Sequence, residues 1–184
     1  GGDAAAATKA KRAAMPEDDD ASFIETRRKL EPVVAQGNAE AQLLLGSMHF
    51  KGQGGPQDLV EARRLFELSA AQGDATAQTN LGRMHMKGEG GPIDFVEANR
   101  LLVLAVAQGD DDAQVVLGHM HFNGQGGQTD FAEARRSYGQ AAGRGHADAQ
   151  TMLAAMHFYG EGGPKDAAEA RRLYGLAAAQ GDAK

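Results

Sequence analysis

The sequence predicts an all-α solenoid, a row of stacked helix-turn-helix hairpins, and three observations predict it. The dipeptide Met-His occurs at Met48-His49, Met84-His85, Met120-His121 and Met156-His157, and every step is 36 residues. The same step carries Asp58, Asp94, Asp130 and Asp166, each followed three residues later by Glu61, Glu97, Glu133 and Glu169, the spacing of a helix capping box. It also carries a Gln-Gly pair beginning at Gln36, Gln72, Gln108 and Gln180, with Arg144-Gly145 as the variant copy. A glycine there can take the left-handed conformation that ends a helix.

These signals divide each unit into two helices. Helix B starts after the capping Asp, runs through an EARR-type segment and stops at the Gln-Gly pair. Helix A starts after that glycine, with Asn38, Asp74 or Asp110 available to cap it, and ends near Phe50, Met86, Phe122 and Phe158. Within it Ala41, Leu45, Met48 and His49 fall on one face, which is read as the packing face. Gly46, Gly82 and Gly118, with Ala154 in the fourth copy, follow the core leucine and are expected to let helix backbones approach closely.

Residues 22–37 align without a gap on 58–73, so a half-repeat precedes full repeats at 38–73, 74–109, 110–145 and 146–181. In that half-repeat Ser22 takes the cap position, Glu25 closes the box, and Pro32 is expected to kink the helix. Residues 1–21 join an alanine stretch, a Lys/Arg cluster and the acidic run Glu17 to Asp20, with almost nothing to bury, and read as a weakly ordered tail.

Composition narrows function. Nineteen Lys and Arg against 25 Asp and Glu give a net charge of −6, which argues against nucleic acid as a partner. The absence of cysteine removes disulfides, thiolate metal sites and thiol nucleophiles. No stretch approaches the roughly 18 apolar residues of a membrane span, so direct membrane insertion is not expected.

The candidate chemistry reduces to packing. His49, His85, His121 and His157 should form a ladder one repeat apart, roughly 10 Å at helix-packing distances. A shared zinc would need each nitrogen within about 2.1 Å of the ion, so no metal or cofactor is expected. Buried neutral rings would instead make stability fall on acidification. The GQGGPQ-type loops join helix to helix and lack the strand or the Gly-Lys-Ser/Thr ending of a phosphate site. Arg63-Arg64, Arg135-Arg136 and Arg171-Arg172, with Asn99-Arg100 in the second copy, read as a solvated face whose charge is offset by the glutamate three residues before the second Arg. No Ser-His-carboxylate set stands out, and catalysis is not expected.

The combination A-x-x-x-L-G-x-M-H-x-x-G-x-G-G, at Ala77 to Gly91, followed by D-x-x-E-A-x-R from Asp94 to Arg100, resembles the Sel-1-like repeat, a relative of the tetratricopeptide repeat. The likeness covers residues 22–181 in four copies. It implies a right-handed α/α superhelical solenoid that acts as a scaffold or adaptor for protein partners, or as a structural subunit of a larger assembly. His49 and its equivalents stand where the family usually has tyrosine, and Gly55 and its equivalents where it often has valine. A further reading carried by the resemblance is a hydrolase of the penicillin-binding kind, found among cysteine-rich bacterial relatives, and the lack of cysteine counts against it.

In a solenoid the scaffold positions recur in every copy while a binding face is free to vary. The variable helix-A positions give a predicted partner surface of Leu43, Ser47 and Lys51; Thr79, Arg83 and Lys87; Val115, His119 and Asn123; and Thr151, Ala155 and Tyr159. Leu44, Asn80, Val116 and Met152 vary too, and are read equally well as contacts to the adjacent repeat. If helix A lines the concave side, as the resemblance implies, this is a groove with apolar ends and a basic centre that takes a protein or peptide. The Tyr174/Leu176 end offers a route to weak self-association. Replacing a core leucine, Leu117→Ala, should cost about 2–5 kcal/mol in chemical denaturation and weaken the neighbouring repeats as well as its own.

Overall fold

The computed structural model describes residues 17–181, which form nine helices. They are α1 (Glu17–Ala35), α2 (Ala39–Lys51), α3 (Leu59–Ala71), α4 (Ala75–Lys87), α5 (Phe95–Ala107), α6 (Asp111–Asn123), α7 (Phe131–Gly143), α8 (Ala147–Tyr159) and α9 (Ala167–Gly181). The even-numbered helices are the predicted A helices and the odd-numbered ones the B helices. The chain is an all-α solenoid, with no strand among the described residues. None of these helices is long and apolar enough to cross a membrane.

The caps form where the sequence puts them. Asn38, Asp74 and Asp110 accept from the amides of Ala41, Ala77 and Ala113 at 2.8, 2.7 and 2.8 Å. His146 does the same for α8 through Nδ1, at 3.4 Å from Ala149 N, while its Nε2 lies 2.9 Å from Asp112. Asp58, Asp94, Asp130 and Asp166 cap the B helices at 2.9–3.0 Å. Each A helix ends on a left-handed glycine, Gly52, Gly88, Gly124 or Gly160, with φ between 66° and 78°.

Two local expectations are corrected. The capping boxes are only half used: the glutamates do not reach back, because the amides of Asp58, Asp94, Asp130 and Asp166 already donate to the carbonyls of His49, His85, His121 and His157 at 2.8–3.0 Å. Glu61, Glu97 and Glu169 turn instead to Arg64, Arg100 and Arg172, with N–O distances down to 2.6 Å. Ser22 does not cap the leading helix either, since α1 begins at Glu17 and runs on through Pro32 to Ala35. Residues 1–16 of the predicted tail lie outside the described residues.

Packing explains why the units stack. One core cluster joins Ala62, Phe66 and Ala70 of α3 to Ala77, Leu81 and Met84 of α4 and to Leu101 of α5. Another joins Val115 of α6 to Tyr138 of α7, Leu153 of α8 and Leu173 of α9. Each cluster therefore crosses a repeat boundary, and removal of one unit would expose apolar area on the next. The A helices α4 and α6 touch directly across the intervening α5, which puts this pair on the inner side of the stack.

The close-approach glycines behave as expected. A Cβ on Gly118 would stand 2.5–2.9 Å from the ring of Tyr138, which is fully buried. Gly46 and Gly82 face Phe66 and Leu102 in the same way, at 2.9 Å. In the fourth copy, where Ala154 replaces the glycine, the equivalent ring, Tyr174, stands 42% exposed. Gly118→Ala should therefore lower stability by about 1–3 kcal/mol in urea unfolding, since the Tyr138 ring has no room to yield, and Gly118→Ala/Tyr138→Leu should recover part of that loss.

Candidate functional site

The A-helix face holds a shallow groove between α2 and α4, the first two of the four A helices. Ser47, Lys51, Asn80, Arg83, Lys87 and Glu89 line a cavity of about 310 Å³ there, floored by Phe50, Phe66 and Met84. Four predicted partner residues, Ser47, Lys51, Arg83 and Lys87, thus converge on one site. Lys51 and Lys87 are exposed because they occupy the last turn of their helices, where a cation is also favoured by the helix dipole.

The local counter-charges are distant. Arg83 is 3.9 Å from Asp112 in a solvated pair that contributes little, and Lys87 is 3.9 Å from the half-buried Glu89. Glu89 Oε2 is buried and has no hydrogen-bond partner. Farther along the face, His119 packs edge-on against Tyr138 at 5.5 Å, and burial together with the positive charge of Arg83 holds its pKa below the ordinary value. At the far end Tyr159 is 63% exposed and stands edge-on to Phe158. Asn123 and Thr151 are exposed, and Leu43 and Ala155 are half-buried.

Thr79 and Val115 are corrections to the predicted surface. Thr79 is 2% exposed, donates to the Ala75 carbonyl and lies 3.1 Å from Asp110 of the next repeat. Val115 is 5% exposed and belongs to the core cluster shared with α7 and α8. Both face the following repeat, a neighbour that a helical wheel of one helix does not show. Val116 is buried and Met152 half-buried, so these two serve as inter-repeat contacts, whereas Leu44 remains 47% exposed.

The arginine pairs do two different jobs. The second member pairs with the glutamate three residues before it, and that hydrogen bond lowers the pKa of Glu61, Glu97 and Glu169. The first member crosses to the next repeat. Nη2 of Arg27, Arg63 and Arg135 lies 2.6, 2.9 and 2.7 Å from Nδ1 of His49, His85 and His157. Arg63 and Arg135 also reach the carbonyls of Pro92 and Pro164. The first arginine is therefore an inter-repeat clamp rather than part of a solvated face, and the histidine accepts from the preceding repeat. A second missed element is a row of buried glutamines: Gln42, Gln78 and Gln150 accept from Gln72, Gln108 and Gln180 at 2.7–3.0 Å. Among the described residues no three His, Cys, Asp or Glu side chains gather where they could hold a metal ion.

The Sel1 repeat family model matches residues 39–74, 75–110, 111–146 and 147–182, so the chain belongs to the Sel1 repeat family. Proteins of this family act generally in protein–protein interaction and are generally non-catalytic scaffolds. Solved structures agree. A Sel1 repeat protein from Oxalobacter formigenes is 29% identical with a TM-score of 0.81, over 85% of this chain and 62% of that one. The protective antigen c5321 of uropathogenic Escherichia coli strains, which displays an SLR fold, is 30% identical with a TM-score of 0.76, over 83% of this chain and 32% of that one. A Sel1 repeat protein from Klebsiella pneumoniae is 25% identical with a TM-score of 0.62, over 83% and 73%. The chain thus spans under two thirds of the length of the first two. No curated protein matches it.

The clamp makes stability depend on pH. Burial first, and then the adjacent arginine, holds His49, His85 and His157 below the ordinary 6.5, so the unfolded chain binds protons more readily than the folded one. Their contribution is fully present above about pH 6.5 and is lost as pH falls toward the lowered folded values. Thermal melts at about pH 7.5 and 5.5 should show a larger fall in Tm for the wild type than for His49→Gln/His85→Gln/His157→Gln, whose side chains still accept from arginine but do not titrate. Equal falls would remove the histidines from the account.

Proposed function

We propose that this chain is a non-catalytic interaction scaffold that binds an acidic segment of a protein partner along the inner A-helix face. The reading is carried by the convergence of Lys51, Arg83 and Lys87 around one cavity, with Glu89 in its lining and Asp112 beside Arg83 as the nearby carboxylates. These cations are solvated and only loosely paired within the chain, so a partner carboxylate replaces water rather than breaking an internal ion pair. Phe50, Phe66 and Met84 beneath them supply an apolar floor, and the exposed rings of Phe158 and Tyr159 extend the face toward the other end. Area of this kind gives affinity, while the cations set register and association rate.

The charge reversal Arg83→Glu/Lys87→Glu tests the groove. Lys87 is exposed and Arg83 is half-exposed with only a loose ion pair, so circular dichroism and Tm should stay near the wild type. Affinity purification from the source cell followed by mass spectrometry should then recover fewer partners with the variant. Recovery of every wild-type partner would overturn the groove assignment.

A further inference from the structure

Four joints connect a B helix to the next repeat, and three of them are closed by the chain's own guanidinium. Arg27, Arg63 and Arg135 each lie under the loop of the following repeat, against its histidine. The glycine of that loop is part of the fit, because a Cβ on Gly55, Gly91 or Gly163 would collide with the guanidinium. Arg135 shows the full set of acceptors: His157 Nδ1 at 2.7 Å, and the carbonyls of Glu161 and Pro164 at 3.4 Å each.

The joint between the second and third repeats lacks the donor. Asn99 stands at the arginine position, and its side chain is too short to cross. A cavity of about 300 Å³ is present there, walled by Phe95, Asn99, His121, Gln125, Gly127 and Gln128. A Cβ on Gly127 would meet nothing within 4 Å, whereas its three equivalents press on arginine. The acceptor side is retained. Gln125 and Gln128 occupy the register of Glu161 and Pro164, whose carbonyls take the Arg135 guanidinium. No hydrogen bond reaches the His121 ring among the described residues.

The surrounding charge also suits a cation. Asp130 and Glu133 hold the register of Asp58 and Glu61, the acids that act on His49. Glu133 is 3.7 Å from Arg136, whereas Glu61, Glu97 and Glu169 stand 2.6 Å from their arginines, so Glu133 is the least neutralised of the set. Acceptors spread around a flat slot fit a planar, multi-donor guanidinium better than the point charge of an ammonium group.

We propose that this third joint is a receptor for an arginine side chain presented by a protein partner, the guest guanidinium taking the place that Arg27, Arg63 and Arg135 fill elsewhere. The proposal stands apart from the inner groove, since it uses a different face and the opposite charge. It is tested by titrating the isotope-labelled chain with Nα-acetyl-arginine amide and, at matched ionic strength, Nα-acetyl-lysine amide, followed by amide NMR. Saturable shifts should appear at Asn99, His121, Gln125 and Gly127 with the arginine probe, and at least about tenfold weaker binding with lysine. Asn99→Arg should fill the slot from within, raise Tm and abolish the response. Gly127→Leu, which fills the same space without charge, should abolish it as well and serves if Asn99→Arg does not fold. Equal shifts with both probes, or a wild-type response in the folded variants, would overturn the proposal.

Discussion

The structure depends on a shortage: a hairpin of two thirteen-residue, alanine-rich helices does not bury enough apolar area to offset the entropy of ordering it. The strong features of the molecule answer that shortage by closing each unit tightly on itself and by making one unit complete the next. The core clusters cross unit boundaries, the A-helix glycines bring a large B-helix side chain to van der Waals distance, and an arginine from each donor repeat closes the loop of its successor. Small side chains are thus the means of close packing rather than a weakness of the core.

The helices and their ends were legible because they are set by short-range chemistry. Asp58, Asn38 and the left-handed glycines act within one turn, and their recurrence removed ambiguity. The half-used capping box was not legible, because the amide that Glu61 would have bound is taken by His49, nine residues back across the loop. Residues inside a unit compete for the same donor, and only three-dimensional closure shows which acceptor wins.

The candidate surface was legible in part for a related reason. Ser47, Lys51, Arg83 and Lys87 sit where the face turned away from the B helix borders a cavity between successive A helices rather than the packed core. Thr79 and Val115 do not, since an inner helix of a solenoid has neighbours on three sides and the pattern of one helix reports mainly on its own hairpin partner. The clamp left a trace that could have been followed: Arg27, Arg63 and Arg135 precede His49, His85 and His157 by the same 22 residues, and the one copy lacking arginine, at Asn99, also lacks the loop proline, having Gln128 instead.

The clamp is directional, giving from a B helix and receiving at the following loop, so its two halves belong to different units. A gene segment duplicated or lost in whole multiples of the period leaves donor and receiver matched at both new seams, while a shift by any other length strands one of them. Such an array can change its reach through unequal recombination without a fresh round of selection on its joints, and a single joint such as the third is then free to trade an internal tie for an external one.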